Sequence, residues 1–311
     1  MKAVRFHEFG GTDVLRYEDV ERPVPAAGQV LVEVAATTFN PADASLRAGA
    51  FRDVFPVALP HTLGLDVAGR IAELGEGVTG WSVGDAVFGW IPITIDGAAA
   101  EYVAVSADLL AAAPGAIPLA QAAALPTGGL TAWQALFEQA DLRAGQRILI
   151  NGAGGGVGGV AVQLAKDAGA YVIATASPRS AAAIRGLGAD EVVDYTSAKL
   201  ADALTEPVDV VFNLVAQPPE QLAELAGLVR PGGVIVSITA PVPVAEDSDV
   251  RSVRHGMRPD AAQLAAIAAK ADAGTLRPDV SVTYPLSDVA EVHRLHEAGE
   301  IRGKVLITVK A

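Results

Sequence analysis

Asn151-Gly152-Ala153-Gly154-Gly155-Gly156-Val157-Gly158-Gly159 lies between an apolar run, Arg147 to Ile150, and a stretch with helical spacing, Val160 to Lys166. A phosphate bound at a helix N-terminus meets backbone N–H groups that have no intrahelical partner, and only residues without a Cβ let the backbone come that close. The literal G-x-G-x-x-G spacing falls on Gly154, Gly156 and Gly159, and a register shifted by one puts Ala153, Gly155 and Gly158 in the same places. Strand, loop and helix in this order are the context that the fingerprint requires. The loop is therefore expected to seat a dinucleotide's pyrophosphate, with Gly154, Gly155, Gly156 and Val157 against it.

Outward from the loop, strands are expected near Ile148–Asn151, Tyr171–Ala176, Glu191–Asp194, Val208–Leu214 and Val234–Ile238. Helices fit between them at Val157–Ala168, Ser180–Leu187 and Glu220–Val229. Such alternation implies an α/β fold with a doubly wound parallel sheet, of which Val250–Met257 is the expected last strand. Residues 1 to about 120 instead alternate short apolar runs with Gly/Pro punctuation, the pattern of a twisted, mostly β domain. After Pro118, helices at Leu119–Leu125 and Thr131–Glu138 mark the crossover. Beyond Pro259 a helix, Ala261–Ala273, a strand, Val280–Tyr284, a helix, Val289–Ala298, and a closing strand, Val305–Val309, are expected to return to the first domain. The domains so read are 1–122, 123–257 and 258–311.

Composition narrows the function. A net charge of −13 argues against general nucleic-acid binding, which needs clustered Lys and Arg. With no cysteine there is no disulfide, thiol nucleophile or thiolate metal ligand. No run of 18 apolar residues escapes a charge or turn signal, so no membrane span is expected. The opening Met1-Lys2-Ala3-Val4-Arg5 reads as a first strand, and a cytoplasmic location is expected.

The cofactor's identity is read about twenty residues past the loop. An NAD site places an acid there for the ribose hydroxyls, whereas this chain has Thr175-Ala176-Ser177-Pro178-Arg179. Ser177 and Arg179 suit the 2′-phosphate of NADP, because a guanidinium stays charged and forks onto phosphate oxygens. The alternative is a helix start with Ser177 as N-cap and Arg179 as a solvated charge. Tyr195, after the third strand, is expected to cover the adenosine end or to pack as an ordinary aromatic.

Phe39-Asn40-Pro41-Ala42-Asp43, Leu63-Gly64-Leu65-Asp66-Val67-Ala68-Gly69, Gly84-Asp85-Ala86-Val87-Phe88-Gly89, the segments Leu125 to Thr127 and Leu130 to Ala132, the loop from Ala153 to Gly158, and Arg302-Gly303-Lys304-Val305-Leu306 occur in order over the whole chain. Together they resemble the medium-chain dehydrogenase/reductase superfamily, in particular its zinc-independent NADPH quinone oxidoreductase branch. The resemblance implies a Rossmann nucleotide-binding domain beside a GroES-like catalytic domain, a homodimer, and NADPH as cofactor. The zinc alcohol dehydrogenases of that superfamily use Cys and His ligands; here the corresponding stretches hold Asn40-Pro41 and Gly64-Leu65-Asp66, and the five histidines are scattered, so no metal is expected.

The resemblance further implies that Asn40 contacts the nicotinamide ribose or the substrate oxygen, although Asn before Pro is also a common turn initiator. Asp43 is expected to orient the loop or cap the following helix rather than transfer a proton. Relatives often carry Tyr near Phe51; Phe51 has no hydroxyl, yet its ring suits a flat acceptor. Thr131, Leu214, Val215, Ile238, Thr239 and Lys304 are the remaining implied cofactor contacts, with an N-cap role open for Thr131 and a surface position for Lys304. Two functions fit this set. One is metal-free hydride transfer from NADPH to a quinone or an α,β-unsaturated carbonyl, and the other is a non-enzymatic NADPH-binding redox sensor.

Overall fold

The computed structural model describes residues 1–197 and 199–309. These form two compact units, one from Met1–Thr127, Pro259–Gly274 and the chain from Pro278 onward, the other from Gly128–Arg258 with Thr275–Arg277.

In the first unit the chain runs through β1 (Lys2–Phe6), β2 (Leu15–Asp19), β3 (Gln29–Phe39), α1 (Pro41–Arg47), β4 (His61–Thr62), β5 (Asp66–Leu74), β6 (Ala86–Trp90), β7 (Tyr102–Ser106), β8 (Leu110–Ala112), α2 (Leu119–Ala122) and the start of α3 (Pro126–Trp133). One sheet has the order β2-β1-β4. In the larger sheet β3 pairs antiparallel with β5 and β7, and β5 with β6. The inward residues Val30, Val32 and Val34 pack with Val67, Ile71, Val87 and Val103. Helix α2 stops at Ala122, short of the expected Leu125, because Pro126 disfavours helical backbone just before it.

The second unit holds β9 (Arg147–Asn151), α4 (Gly156–Asp167), β10 (Tyr171–Ala176), α5 (Pro178–Gly186), β11 (Glu191–Asp194), α6 (Leu200–Ala203), β12 (Val208–Asn213), α7 (Pro219–Glu224), β13 (Val229–Ser237) and β14 (Arg251–Arg254). Its sheet has the order β11-β10-β9-β12-β13-β14 with all pairings parallel. The chain leaves β9 toward β10 and later returns to β9's other side as β12, so strand order reverses between them. Ligand crevices of doubly wound sheets open at such a point, outside the strands' C-terminal ends.

The expected helix Glu220–Val229 is broken into α7 and a 3-10 turn, Leu225–Leu228. Val229 already belongs to β13, and Leu225, Leu228 and Val229 all bury their side chains against Leu149, Val211 and Ile235. A π-helical turn, Gln134–Gln139, follows α3 where a regular helix was expected. There the Gln134 amide donates to the Arg258 carbonyl (2.9 Å) and accepts from its N–H (3.1 Å), as a neighbouring strand would.

After the second unit come α8 (Ala261–Asp272), β15 (Val280–Pro285), α9 (Val289–Glu297) and β16 (Lys304–Thr308). β16 joins the larger sheet of the first unit, antiparallel to β3 and parallel to β15. Val289 and Val292 of α9 and Val305 of β16 complete an apolar cluster with Phe6, Phe39, Leu46 and Leu63.

Two glycines of the loop serve different ends. A Cβ on Gly158 would lie 2.5 Å from the Ala153 Cα, so α4 can pack on the loop after β9 this closely only with Gly there. A Cβ on Gly155 would meet nothing nearer than the Gly152 oxygen at 3.7 Å, and its φ of −91° suits any residue. Gly158→Ala is therefore expected to lower stability by about 1–3 kcal/mol, and Gly155→Ala to change it by less than about 0.5 kcal/mol, both read by urea denaturation. Equal losses would show that the close approach of α4 is not what Gly158 provides.

Candidate active site

In the first unit, Asp66 opens β5 and is fully buried. Its Oδ1 accepts from the Thr127 N–H and hydroxyl, each at 2.7 Å. Its Oδ2 accepts from Lys304 Nζ (2.9 Å), Asn40 Nδ2 (3.0 Å) and the Thr38 hydroxyl. Burial opposes ionisation of this carboxyl, but the Lys304 ammonium and the donors from Asn40, Thr38 and Thr127 outweigh it and hold it below the usual carboxylate range. Lys304 also donates to Asn40 Oδ1 at 2.6 Å. The Asn40 carboxamide is thus gripped at both ends, its oxygen by a cation and its nitrogen by an anion. Lys304 is 6% exposed, which removes the surface-lysine alternative.

Asp43 sits in the first turn of α1, with Asn40 as N-cap and Pro41 as the first helical residue. Its Oδ2 accepts from the Asn40 N–H (2.8 Å) and its Oδ1 from the Gly64 N–H (3.1 Å). Burial pushes the carboxyl up to about 7 even though those two N–H groups favour the ionised form. With both oxygens on backbone N–H groups, Asp43 fixes the loop that carries Asn40. Phe51 lies in the turn after α1 and packs edge-on against Phe55, with ring centroids 5.9 Å apart.

In the second unit the glycine loop leads into α4 with Gly155 as N-cap and no side chain capping it. The first-turn N–H groups of a helix lack carbonyls four residues back, and the open space beyond Gly155 leaves room for an anion to meet them. Gly152, at φ +93°, turns the chain out of β9, and a Cβ there would strike Val215 Cγ2 at 2.6 Å. Leu214 and Val215 follow β12, and Ile238 and Thr239 follow β13, so both pairs lie at C-terminal strand ends. The Thr239 hydroxyl donates to the Val215 carbonyl at 3.2 Å, which joins the two turns. This arrangement fits a dinucleotide.

Ser177 is the N-cap of α5 and makes no side-chain cap bond, with Arg179 exposed two residues on. Tyr195 is 58% exposed in the turn after β11. Thr131 is buried inside α3, where its hydroxyl contacts the Met257 sulfur at 3.5 Å, so it is not an N-cap.

Zinc does not fit. The chain has no cysteine, and among the described residues no group of three or more His, Asp or Glu could hold a metal ion.

Asp66, Thr38 and Thr127 had no assigned role from sequence. The available signal was a single acid at the head of an apolar strand, Asp66-Val67-Ala68, since a buried acid needs partners.

Residues 26–115 match the family described as alcohol dehydrogenase GroES-like domain, and residues 187–307 the one described as zinc-binding dehydrogenase. The quinone oxidoreductase of Mus musculus is 32% identical over 329 residues, covering 99% of this chain and 97% of that protein. The chain belongs to the quinone oxidoreductase branch of the medium-chain dehydrogenase/reductase superfamily. The solved quinone oxidoreductase from Coxiella burnetii aligns with a TM-score of 0.89 and 32% identity, covering 100% of this chain and 99% of that one. Escherichia coli quinone oxidoreductase complexed with NADPH gives a TM-score of 0.89 and 26% identity over 99% and 100%. The protein is accordingly an oxidoreductase of the quinone reductase type. Among the described residues no helix is long and apolar enough to cross a membrane.

Asp43 gives the fold a pH dependence with a definite sign. Its folded value of about 7 lies above the ordinary 3.8, so its contribution to stability is full below about pH 4 and is lost as pH rises through about 7. The Asp43→Asn variant cannot ionise and should lack this component. The stability of wild type minus that of the variant, from urea denaturation at pH 4, 6 and 8, should therefore fall across the window. A difference independent of pH would mean that folding does not raise the Asp43 carboxyl above its ordinary value.

Proposed function

We propose that the protein is an NADPH-dependent reductase that delivers hydride, without a metal, to a quinone or an α,β-unsaturated carbonyl. The observation that carries the cofactor choice is the end of β10. It offers Ser177 and Arg179 and no acid, alongside an α4 N-terminus left open by Gly155. The E. coli relative solved with NADPH supports the same reading.

The N–H groups of Gly156 and Val157 hold the pyrophosphate, with Gly154 and Gly155 keeping the loop close, the Gly155 N–H donating to the Gly152 carbonyl at 3.3 Å. Ser177 and Arg179 hold the 2′-phosphate and Tyr195 covers the adenosine end. Thr131, Leu214, Val215, Ile238 and Thr239 line the path toward the nicotinamide, and Asn40 and Lys304 serve its ribose and the acceptor oxygen. When bound, the cofactor supplies the hydride; the chain positions it and excludes water. Asp43 acts by orienting Asn40, and the Phe51 ring offers a flat apolar face to the acceptor.

A saturated ketone would place its new charge on one alkoxide oxygen, which a Lewis acid normally stabilises. A quinone or enone spreads that charge through its π-system. The donor set described above, without a zinc site, suits the second kind of acceptor.

Stopped-flow oxidation of NADPH and NADH against naphthoquinones and enones tests this reading. NADPH should be oxidised, and Arg179→Ala should weaken NADPH about tenfold or more relative to NADH, the worth of a charge-assisted hydrogen bond. Tight NADPH binding with no turnover on any acceptor would sink the reductase in favour of the redox sensor. Equal losses for both cofactors would show that Arg179 does not read the phosphate.

The homodimer is proposed to form through β14, which ends the sheet of the second unit and presents unpaired backbone to a copy across a twofold axis. Light scattering at micromolar concentration should give twice the chain mass, and a monomer would remove this proposal.

A further inference from the structure

Four adjacent strands of the second unit, β10, β9, β12 and β13, carry a polar residue in one row at their C-terminal ends: Thr175, Asn151, Asn213 and Ser237. Asn213 is in register with both Asn151 and Ser237. All four are buried, in a sheet whose interior is otherwise Val, Ile, Leu, Ala and Phe. The row forms one chain of hydrogen bonds. The Gly152 N–H donates to Thr175 Oγ1 (2.8 Å), whose hydroxyl donates to Asn151 Oδ1 (3.0 Å). Asn151 Nδ2 donates to Asn213 Oδ1 (2.8 Å). Asn213 Nδ2 in turn donates to the Val215 carbonyl (3.0 Å), Ser237 Oγ (3.2 Å) and Thr239 Oγ1 (3.4 Å).

Apolar side chains in this row would stabilise the sheet at least as well, because a buried hydrogen bond contributes little net free energy over a well-packed hydrophobic pair. What the row adds is geometry. One end grips the first N–H of the glycine loop and the other grips the turns after β12 and β13, and Asn213 is the residue through which both ends connect. We propose that Asn213 is the positioning residue of the dinucleotide cradle. It holds the Val215 carbonyl and the Thr239 hydroxyl in place and, through Asn151 and Thr175, sets the exit of the glycine loop from β9. This rests on the dinucleotide-binding reading above. A cradle held in its bound shape spends less binding energy on ordering itself.

The test uses the full chain, NADP⁺ as probe, and isothermal titration calorimetry from pH 5 to pH 8. Asn213→Asp keeps the acceptor toward Asn151 but, when ionised, turns an oxygen on the Val215 carbonyl. A protonated carboxyl can again donate to that carbonyl, and a buried carboxyl takes up its proton above the usual range. The groups bonded to Asn213 carry no ionisable side chain of their own. Relative to wild type at each pH, the variant should bind NADP⁺ about tenfold more weakly at pH 8, with the ratio moving toward one as pH falls.

Amide hydrogen exchange of nucleotide-free protein at pH 8 should show faster exchange at Val215 and Gly152 in the variant. If Asn213→Asp does not fold, Thr175→Val decides by the same two readouts, with a smaller loss confined to the Gly152 end. Wild type that binds NADP⁺ while every variant that folds binds within twofold of it overturns the positioning role. Wild type that binds no dinucleotide overturns the underlying reading instead, and the two failures are distinguished by which protein shows them.

Discussion

A carboxylate with no access to water constrains the first unit. Asp66 is charged and fully buried, and removing a buried ion's partner costs about 3–5 kcal/mol, a large part of the stability of a typical domain. The ammonium that meets it comes from β16, the neutral donors come from β3 and the turn after it, and the Thr127 pair comes from the first turn of α3. Strand pairing alone would allow these elements to shift by a residue. The charge pair permits one arrangement, and that arrangement orients the Asn40 carboxamide.

The second unit meets a comparable demand without charge. The buried interior of its central strands is apolar until their last residue or two, and the buried polarity concentrated there is satisfied internally by side-chain amides and hydroxyls. The glycine loop then has two kinds of glycine. Gly158 is set by the packing of α4 on Ala153, whereas among the described residues a Cβ on Gly155 would meet nothing nearer than the Gly152 oxygen at 3.7 Å.

Much of this was legible from residue order. The alternation after Arg147 predicted the parallel sheet, and its strands fall within a few residues of their expected positions, because fully buried strands bounded by glycine and charge give a strong signal. The helix expected over Glu220–Val229 was less legible, since Leu225, Leu228 and Val229 fit a helical face as well as the turn and strand they form. At the site, Asn40, Asp43 and Lys304 were singled out and lie in one bonded cluster. Their common partner Asp66 stands out in sequence only as a member of the Leu63–Gly69 motif, for partnership among residues 26 and 238 positions apart has no local signature. The row from Thr175 to Ser237 was hidden for the same reason: each member looks like an ordinary polar residue at a strand end.

The closing strand of the first unit also has a temporal meaning. Lys304 follows Asp66 by 238 residues, so at roughly 5–20 residues per second a ribosome delivers the cation on the order of 10–50 seconds after the anion. The second unit is complete by Arg277 and can fold while the first still waits. During that interval the end of β3, from Ala36 to Phe39, lacks its β16 neighbour and stands as a bare strand edge, the kind of surface on which nascent chains associate wrongly. The contact that fixes Asn40 in the folded protein is thus among the later ones to become available as the chain emerges.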